Sequence, residues 1–288
     1  MIVEFKTKVF KTNIRDMFDL TDRVALITGG AGLLGAKHAE AIAELGGIPI
    51  IVDIDQKRCD CLAEKMHTDF KVDCIGVCTD ITDPQQVEEL RDRVLKNFGR
   101  IDILINNAAS NPAVGAGGLD AVDGSRLEAF SMESWNRDIN VGLTGAFLCA
   151  RTFGAVMAEK GGGVIVNIAS DLALISPDQR LYRKPALLEH AQPVKPVTYS
   201  VVKTGLIGLT RYLATYWVEQ GVRCNALSPG GVYVDQDEVF VQHLSKLIPM
   251  GRMANKDEYK AAIAFLISDA SSYMNGANLV MDGGRTVW

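Results

Sequence analysis

The sequence predicts an α/β fold: one mainly parallel, doubly wound sheet with helices on both of its faces. Three observations favour this class. Short apolar runs rich in Val and Ile alternate with longer segments that carry apolar residues at helical spacing. A glycine-rich turn at 29–35 separates the first apolar run from the first helical segment. Small or polar residues follow several of the runs, at the strand ends where a parallel sheet binds its ligands.

The chain of 288 residues shows no internal repeat, low-complexity tract or linker. We therefore predict a single domain over residues 21–288. Residues 1–20 have no clear hydrophobic period, and we predict that they form an appendage that packs on the surface or on a neighbouring subunit.

Charge and composition exclude several classes of function. The 30 basic and 35 acidic residues give a net charge of −5, and no run of like charges suits a nucleic-acid backbone. No apolar run approaches the roughly 18 residues of a membrane span, and residues 1–6 lack the order of a secretory signal. The six cysteines lack the C-x-x-C pairs of zinc motifs. We therefore expect a cytoplasmic protein without a nucleic-acid partner, a membrane partner or a metal.

The elements follow from the hydrophobic periods. Apolar runs predict strands at 23–28, 48–52, 72–78, 101–105, 163–168, 222–227 and 278–281. The segments between them predict helices at 33–45, 56–66, 84–98, 132–160, 199–220, 238–247 and 257–268. Local signals agree: Asp83 can cap a helix that begins at Pro84, and Gly99 ends it. Residues 110–130 predict a loop, and residues 176–195, with three prolines, predict an inserted excursion.

The turn after the first strand carries Gly30, Gly32 and Gly35 at the spacing G-x-G-x-x-G. In a nucleotide-binding turn, such glycines turn the chain, let backbone N–H groups approach a pyrophosphate and pack the helix on the strand. The free N–H groups of a helix N-terminus favour an anion. Asp53 ends the second run, 18 residues after Gly35, close to the roughly 20 expected for a carboxylate that binds ribose. The pattern predicts a dinucleotide site.

Tyr199 and Lys203 lie four residues apart on a predicted helix and therefore share one face. The unperturbed pKa of a tyrosine is about 10, and a nearby ammonium favours the ionised phenol, so the pair suits proton transfer. Ser170, just past the fifth strand, can hydrogen-bond the same substrate oxygen. A packed ring and a solvated charge produce the same spacing by chance, so the interpretation depends on its place after a nucleotide-binding fold.

These segments resemble the short-chain dehydrogenase/reductase family over residues 22–288. The matching segments, in family order, are residues 28–35, Asp80-Ile81, 106–109, Asn140, Ser170, 199–203 and Pro229-Gly230. The resemblance implies a single-domain Rossmann-like fold. It also implies that Tyr199 exchanges the proton with the substrate while Lys203 holds the nicotinamide ribose and tunes the tyrosine. Ser170 would orient the carbonyl or hydroxyl, and Asn140 would hold a water in the proton relay.

The glycine-rich turn and the resemblance together imply a set of cofactor-binding residues. They are Gly29, Gly30, Gly32, Leu34, Gly35, Asp53, Ile54, Asp80, Ile81, Asn107, Ala108, Ala109, Tyr199, Lys203, Pro229, Gly230 and Val232. We expect NAD(H) over NADP(H), because the Asp53 carboxylate can accept both ribose hydroxyls and would repel a 2′-phosphate. Lys57 and Arg58 lie nearby and oppose that preference, although residues of this kind on a helix mostly face solvent.

Two positions and one spacing depart from the family pattern. Leu33 stands where single-domain members usually have glycine, and the resulting glycine spacing resembles the branch that modifies nucleotide sugars. Only 57 residues follow the turn at 229–231, too few for the larger C-terminal domain of that branch. Val234 stands where a threonine often helps to hold the carboxamide. Ser170 and Tyr199 are 29 residues apart, more than usual, because the excursion lies between them.

The excursion at 176–195 enters and leaves beside Ser170 and Tyr199, so we predict that it forms a lid that recognises an anionic group. Its positive charges are Arg180, Arg183, Lys184 and Lys195. Arginine captures carboxylate or phosphate with two hydrogen bonds, which makes Arg180 and Arg183 the candidate substrate residues. A solvated loop or a subunit contact explains the same charges.

The leading hypothesis is an NAD(H)-dependent oxidoreductase that interconverts a secondary alcohol and a ketone on a small molecule such as a sugar or an anionic sugar derivative. The excursion and residues 282–288 resemble oxidoreductases of bacterial surface-sugar pathways, such as flagellin modification. The alternatives are an epimerase or dehydratase that recycles NAD and a non-catalytic NAD-sensing protein. Relatives commonly pair the helices at about 143–158 and 200–218, which implies a homodimer or homotetramer.

Overall fold

The computed structural model describes residues 13–110 and 124–288. Within those residues, seven parallel strands form one sheet in the order β3-β2-β1-β4-β5-β6-β7. The strands are β1 Val24–Thr28, β2 Ile48–Asp53, β3 Ile75–Cys78, β4 Ile103–Asn106, β5 Gly163–Ile168, β6 Val222–Pro229 and β7 Asn278–Met281. The predicted fold class is confirmed.

The order of the strands reverses between β1 and β4. Strand β1 pairs with β2 on one side, with Val24 opposite Ile48, and with β4 on the other, with Ala25 opposite Ile103. The chain therefore leaves β1 in one direction and returns to its other side for β4. This reversal opens a crevice at the carboxyl ends of the central strands, which is where sheets of this kind bind ligands.

Helices cover both faces of the sheet. They are α1 Ile14–Met17, α2 Leu33–Glu44, α3 Gln56–Phe70, α4 Pro84–Phe98, α5 Met132–Ile139, α6 Gly145–Glu159, α7 Val197–Tyr216, α8 Glu238–Lys246 and α9 Lys260–Ile267. A π-helical turn, Asn140–Thr144, joins α5 to α6 in one continuous run. The predicted helix at 199–220 begins two residues earlier and ends earlier, at Tyr216, because a 3₁₀ turn over Val218–Gln220 follows it.

Two apolar cores lie on opposite faces of the sheet. Leu26 of β1 packs with α4, α6 and α7, where Phe153 is fully buried. Ile27, the next residue, packs with α2, α3 and α9, where Ile42 and Ile263 are fully buried. Every residue of β1 is buried, which is why the strand reads as a continuous apolar run. Full burial of one such side chain contributes roughly 1.5–3 kcal/mol to the hydrophobic term.

Of the described helices, the run Met132–Glu159 is long and apolar enough to cross a membrane by length and composition. The sequence predicts no membrane span here because polar residues are scattered along this run. In the structure, 56% of its apolar window is buried within the protein, and Cys149 and Phe153 belong to the sheet core. A core helix of a globular protein has the same properties.

The described part of the appendage ends in the core. Residues 1–12 lie outside the described residues, and α1 buries no side chain. Leu20 is fully buried, and its N–H donates to the carbonyl of Leu45. The packed domain therefore begins one residue before the predicted boundary.

The excursion at 176–195 is folded, with 3₁₀ turns at Gln179–Tyr182 and Glu189–Ala191. Gln192 holds it together: its side chain bonds both the N–H and the carbonyl of Lys184. Most of the predicted loop at 110–130 lies outside the described residues.

Candidate active site

A cleft of about 640 Å³ opens at the carboxyl ends of the strands. Many residues predicted to bind the cofactor line it. They are Gly29, Gly32, Leu34, Asp53, Ile54, Asp80, Ile81, Asn107, Ala108, Ala109, Pro229, Gly230 and Val232. The predicted catalytic residues Ser170, Tyr199 and Lys203 line the same cleft. The sheet thus brings together side chains that lie up to 203 residues apart in numbering.

The glycine-rich turn is shaped to hold an anion. Gly29 has φ +60°, and a Cβ there would lie 2.8 Å from the Cα of Ala108. Gly32 precedes α2 and supplies no side-chain cap to it. The first N–H groups of α2 therefore stay available to a ligand, and the helix dipole favours a negative one. A pyrophosphate fits this turn.

Gly30 and Gly35, also predicted to bind the cofactor, lie behind the turn and do not line the cleft. A Cβ at Gly35 would lie 2.3 Å from the carbonyl oxygen of Gly29, and one at Gly30 would lie 2.7 Å from that of Ile27. Gly35 lets the helix pack closely on the turn, which is the third role that the sequence assigned to the motif, and Gly30 lets the turn lie close to β1 and β2.

Asp53 lies at the end of β2, beside the glycine-rich turn. Its carboxylate accepts hydrogen bonds from the N–H groups of Ala31, at 3.2 Å, and of Ile54, at 2.9 Å. Arg58 reaches the same turn, where its guanidinium donates to the carbonyl of Ala31. A carboxylate at this position fits the ribose of a dinucleotide, and a cation stands close to it.

Asn107 fastens the end of β4 to the turn. Its side-chain amide donates to the carbonyls of Thr28 and Gly29, each at 3.0 Å. The hydroxyl of Thr28 in turn accepts from the N–H groups of Asn107 and Ala108, each at 3.1 Å. These bonds hold the residues that follow β4 against the glycine-rich turn.

Ser170, Tyr199 and Lys203 lie together in the cleft and form the candidate chemical centre. Ser170 directly follows β5 and Ala169, while Tyr199 and Lys203 lie one turn apart near the start of α7. The hydroxyl of Tyr199 is 3.4 Å from the Oγ of Ser170. The buried ammonium of Lys203 donates to the carbonyl of Ile168 at 2.7 Å. Two hydroxyls therefore converge on one point of the cleft.

Burial moves the pKa of both helix residues toward their neutral forms. It raises the pKa of Tyr199, against a smaller opposite effect of the Ser170 hydrogen bond. It lowers the pKa of Lys203 to about 8, and the charge of Lys195 acts in the same direction. The sequence predicted the opposite shift for the tyrosine. That prediction is wrong for the protein without cofactor, because the ammonium is directed at Ile168 while the phenol is desolvated.

Asn140 begins the π-helical turn between α5 and α6, and its side chain is exposed. The hydroxyl of Thr144 lies 3.4 Å from its amide oxygen. The neighbouring Val141 lines the cleft, but Asn140 itself does not. The proposed role of Asn140 in a proton relay stays a prediction, and π turns of this kind are frequent at functional sites.

The structure does not bring Arg180 and Arg183 into the cleft. The Arg180 guanidinium, whose side chain is 80% exposed, pairs with Asp178, and that of Arg183 pairs with Glu189. The excursion instead contributes Leu181, Tyr182 and Lys195 to the lining. The charge of the excursion is thus largely directed away from the cleft. The assignment of Arg180 and Arg183 as substrate residues stays a prediction.

Two buried charged residues in the cleft, Asp171 and Arg285, were not predicted from the sequence. Asp171 directly follows the predicted catalytic serine, and that adjacency was the available signal. Arg285 lies 114 residues further on, and the sequence offered no sign that the two side chains meet.

Comparison with known families agrees with this geometry. A family model described as short chain dehydrogenase matches residues 23–182, more than half of the chain, and one described as enoyl-(acyl carrier protein) reductase matches residues 187–286. The chain belongs to the short-chain dehydrogenase family. As a short-chain dehydrogenase it is an oxidoreductase that binds a nicotinamide cofactor.

Several relatives of this short-chain dehydrogenase are known. It is 36% identical to the D-threitol dehydrogenase of Mycolicibacterium smegmatis, over 94% of this chain and 95% of that protein. It is 30% identical to an NAD-dependent glycerol dehydrogenase of Listeria innocua, over 94% and 96% of the two chains. The crystal structure of a gluconate 5-dehydrogenase from Burkholderia cenocepacia, in complex with NADP and tartrate, superposes with a TM-score of 0.81 at 28% identity. That match covers 96% of this short-chain dehydrogenase and all of the other chain.

Proposed function

We propose that this protein oxidises a secondary alcohol of a polyol or sugar to a ketone with NAD⁺, and carries out the reverse reduction with NADH. The observation that carries the proposal is the approach of the Tyr199 hydroxyl to within 3.4 Å of the Ser170 Oγ, with the Lys203 ammonium buried one helical turn away. The relatives named above support a substrate with several hydroxyls.

In this mechanism the bound cofactor supplies the hydride acceptor or donor. Ser170 and Tyr199 bind the reacting oxygen with their hydroxyls and hold the carbinol carbon in place. In reduction, the Tyr199 phenol gives its proton to the forming alkoxide. In oxidation, the ionised phenol takes the proton from the substrate hydroxyl.

Lys203 serves this proton transfer from its place one turn after Tyr199. Its ammonium would hold the ribose hydroxyls while it stays bonded to the carbonyl of Ile168, which fixes its position. Because burial raises the pKa of Tyr199, the phenol keeps its proton at neutral pH in the free protein. Oxidation is therefore expected to accelerate as the pH rises.

The preference for NAD(H) rests on Asp53. Asp53 lines the cleft, and a carboxylate at the end of this strand typically bonds the ribose in dinucleotide-binding folds, so a 2′-phosphate would meet a like charge. Arg58, bonded to the glycine-rich turn, opposes this preference. One relative is described as NAD-dependent and one solved relative holds NADP, so the relatives do not decide between the cofactors.

The biological setting is a second part of the proposal. A role in a bacterial surface-sugar or flagellin-glycan pathway is supported by the resemblance of the excursion and of residues 282–288. The named relatives act on threitol, glycerol and gluconate, which supports a sugar-like substrate without that setting. A cytoplasmic location and a homodimer or homotetramer stay predictions.

The test measures the oxidation of a panel of alditols and aldonates with each cofactor, monitored by the absorbance of the reduced cofactor. We expect NADH to accumulate in proportion to ketone, and NAD⁺ to be preferred by about tenfold or more in kcat/KM, which corresponds to about 1.4 kcal/mol. Product formation without net NADH would instead indicate an epimerase or dehydratase. Absence of turnover on the whole panel would favour the non-catalytic alternative.

Asp53→Asn is the variant that tests the cofactor preference. It removes the charge that repels a 2′-phosphate, so the ratio of kcat/KM for NAD⁺ to that for NADP⁺ should fall toward one. Asp60→Asn is the matched control, because Asp60 is an exposed carboxylate of the following helix α3. A wild-type preference for NADP⁺ would contradict the assignment.

A further inference from the structure

A buried ion pair lies at the substrate end of the cleft. The Nη1 of Arg285 lies 2.7 Å from the Oδ2 of Asp171, and their side chains are 8% and 4% exposed. The other carboxylate oxygen, Oδ1, accepts the hydroxyl of Ser170 at 2.8 Å and the N–H of Leu172 at 2.8 Å. One carboxylate therefore connects the serine of the chemical centre to a guanidinium.

The last turn of the chain is built to hold this arginine. Asp282 accepts the N–H groups of Gly284, at 2.9 Å, and Thr286, at 2.7 Å. Gly284 has φ +90°, and a Cβ there would lie 2.9 Å from Pro249. The turn lies after the last strand of the sheet. Hydrogen bonds to Asp282 and the conformation of Gly284 nevertheless fix the backbone on either side of Arg285.

Stability does not explain the pair. Two charges taken out of water lose solvation that their attraction barely repays, so a well-packed apolar pair is often as stable. Arg285 also has hydrogen-bond capacity left. Among the described residues its side chain donates only from Nη1, to Asp171, and the residue lines the cleft. Its remaining N–H groups are therefore available to a ligand.

The charge of the pair decides which chemical group it fits. Asp171 neutralises Arg285, so the pair presents N–H donors beside carboxylate acceptors with no net charge. A hydroxyl both donates and accepts a hydrogen bond, so it suits a neutral pair better than an anion does, although the ammonium of Lys195 lines the same cleft. The pair adjoins Ser170 through the Oδ1 of Asp171, which places the bound group near the reacting carbinol.

We propose that Asp171 and Arg285 form a subsite that binds the hydroxyl adjacent to the alcohol being oxidised, which makes a vicinal diol the recognised unit. This inference rests on the proposed function. It assigns specificity to Arg285, while Asp171 also positions Ser170 through its Oδ1.

The experiment compares butane-2,3-diol with butan-2-ol, which differ by that one hydroxyl. We expect kcat/KM of the wild type to favour the diol by about 10- to 100-fold, as a hydrogen bond to a charged group allows. Arg285→Met should bring the ratio to within about threefold of one, because the value for the diol falls more than the value for butan-2-ol. Arg285→Lys, which keeps a cation, should retain part of the preference.

Arg252→Met is the matched control. Arg252 also pairs with a carboxylate, Glu258, but at the surface, and its loss should leave the ratio unchanged. Equal losses for both alcohols in Arg285→Met would mean that the pair only positions Ser170, and would overturn the subsite.

The wild-type ratio keeps the proposal testable if Arg285→Met does not fold. A ratio near one, or oxidation of alditols with no activity on either probe, would overturn it while leaving the proposed function intact. Failure of the proposed function looks different, because no alcohol of the panel would then produce NADH.

Discussion

At the scale of single residues, the chemical centre depends on what burial does to two side chains. The phenol of Tyr199 and the ammonium of Lys203 are both desolvated, and burial shifts the pKa of each toward its neutral form. With a pKa of about 8, Lys203 keeps most of its charge at neutral pH. The free protein therefore pairs a neutral acid with a cation that binds ribose hydroxyls.

The role of Tyr199 is tested by Tyr199→Phe. The variant keeps the ring but removes the proton that is exchanged, so kcat should fall by the roughly 10²–10⁴ that general acid–base catalysis supplies. Binding of NADH, followed by fluorescence, should not change. Tyr182→Phe is the control, because Tyr182 lines the same cleft. Tyr199→Phe with nearly full activity would exclude the tyrosine as the acid.

The buried charge of Lys203 makes stability depend on pH. Its pKa is about 8 in the folded protein against 10.5 for a free lysine, so the unfolded chain binds more protons between these values. The free energy of unfolding of the wild type should rise over this range relative to Lys203→Met, by on the order of 1–3 kcal/mol.

Urea unfolding at several pH values from neutral to about 10 measures this difference. Lys246→Met, at an exposed lysine near the end of α8, is the control and should show a constant difference. Parallel stability curves for the wild type and Lys203→Met would contradict the assigned shift.

At the scale of elements, contacts with α5 and the π turn set the position of helix α7, which carries Tyr199 and Lys203. Gly142, in the π turn, packs on α7 so closely that a Cβ there would lie 2.5 Å from Val202. Thr198 at the start of α7 donates to Asp138 of α5 at 2.6 Å. These contacts set the position of the helix turn that holds Tyr199 and Lys203.

The excursion contacts the cleft through Leu181, Tyr182 and Lys195, and Leu181 leads to a prediction about its role. Leu181 is buried with Leu244, Ile248 and Met253. Leu181→Ala should lower stability by about 2–5 kcal/mol and reduce kcat/KM, because it loosens the cleft wall.

Arg180→Ala and Arg183→Ala are the matched comparison. Their guanidiniums form exposed ion pairs within the excursion, so kcat/KM should stay within about threefold of the wild type. A larger loss for either arginine variant, with cofactor binding intact, would favour the lid that the sequence predicted.

At the scale of the whole molecule, the reversal of strand order gathers the site. The carboxyl ends of β1, β2 and β4 present the glycine-rich turn, Asp53 and Asn107 to one cleft. The ends of β5 and β6 add Ser170 and Gly230. Every strand is parallel to its neighbours, so all these ends lie on the same edge of the sheet.

Helices α6 and α7 carry exposed aromatic side chains in the segments where the sequence predicts a contact between subunits. Phe147 of α6 is 46% exposed, and Tyr212 and Tyr216 of α7 are 61% and 57% exposed, with their rings stacked 5.6 Å apart. Exposed aromatic patches of this kind often mark interfaces. We expect the double variant Tyr212→Glu, Tyr216→Glu to shift the protein to a monomer in sedimentation velocity.

Tyr273→Glu provides the comparison, because Tyr273 is fully exposed and lies after α9. It should sediment as the wild type does. A monomeric wild type would show that the predicted homodimer or homotetramer is wrong.

The sequence by itself determined the fold class and most of the cleft. Continuous apolar runs and apolar residues at helical spacing indicate burial directly, and Gly30, Gly32, Gly35 and Asp53 stand at the spacing of a dinucleotide-binding turn. Tyr199 and Lys203 were found in the same way, because a helix places residues four apart on one face. Helix ends at Tyr216 and the π turn at Asn140 escaped prediction, since packing decides them.

The tertiary structure alone decided the environment of the charges. Whether an arginine of the excursion enters the cleft depends on its neighbours: Arg180 lies beside Asp178 in sequence and pairs with it at the surface. Arg285 meets Asp171 only because strands β5, β6 and β7 are adjacent in the sheet. Burial likewise reversed the expected shift in the pKa of Tyr199, because desolvation is a property of the packed interior that residue spacing does not contain.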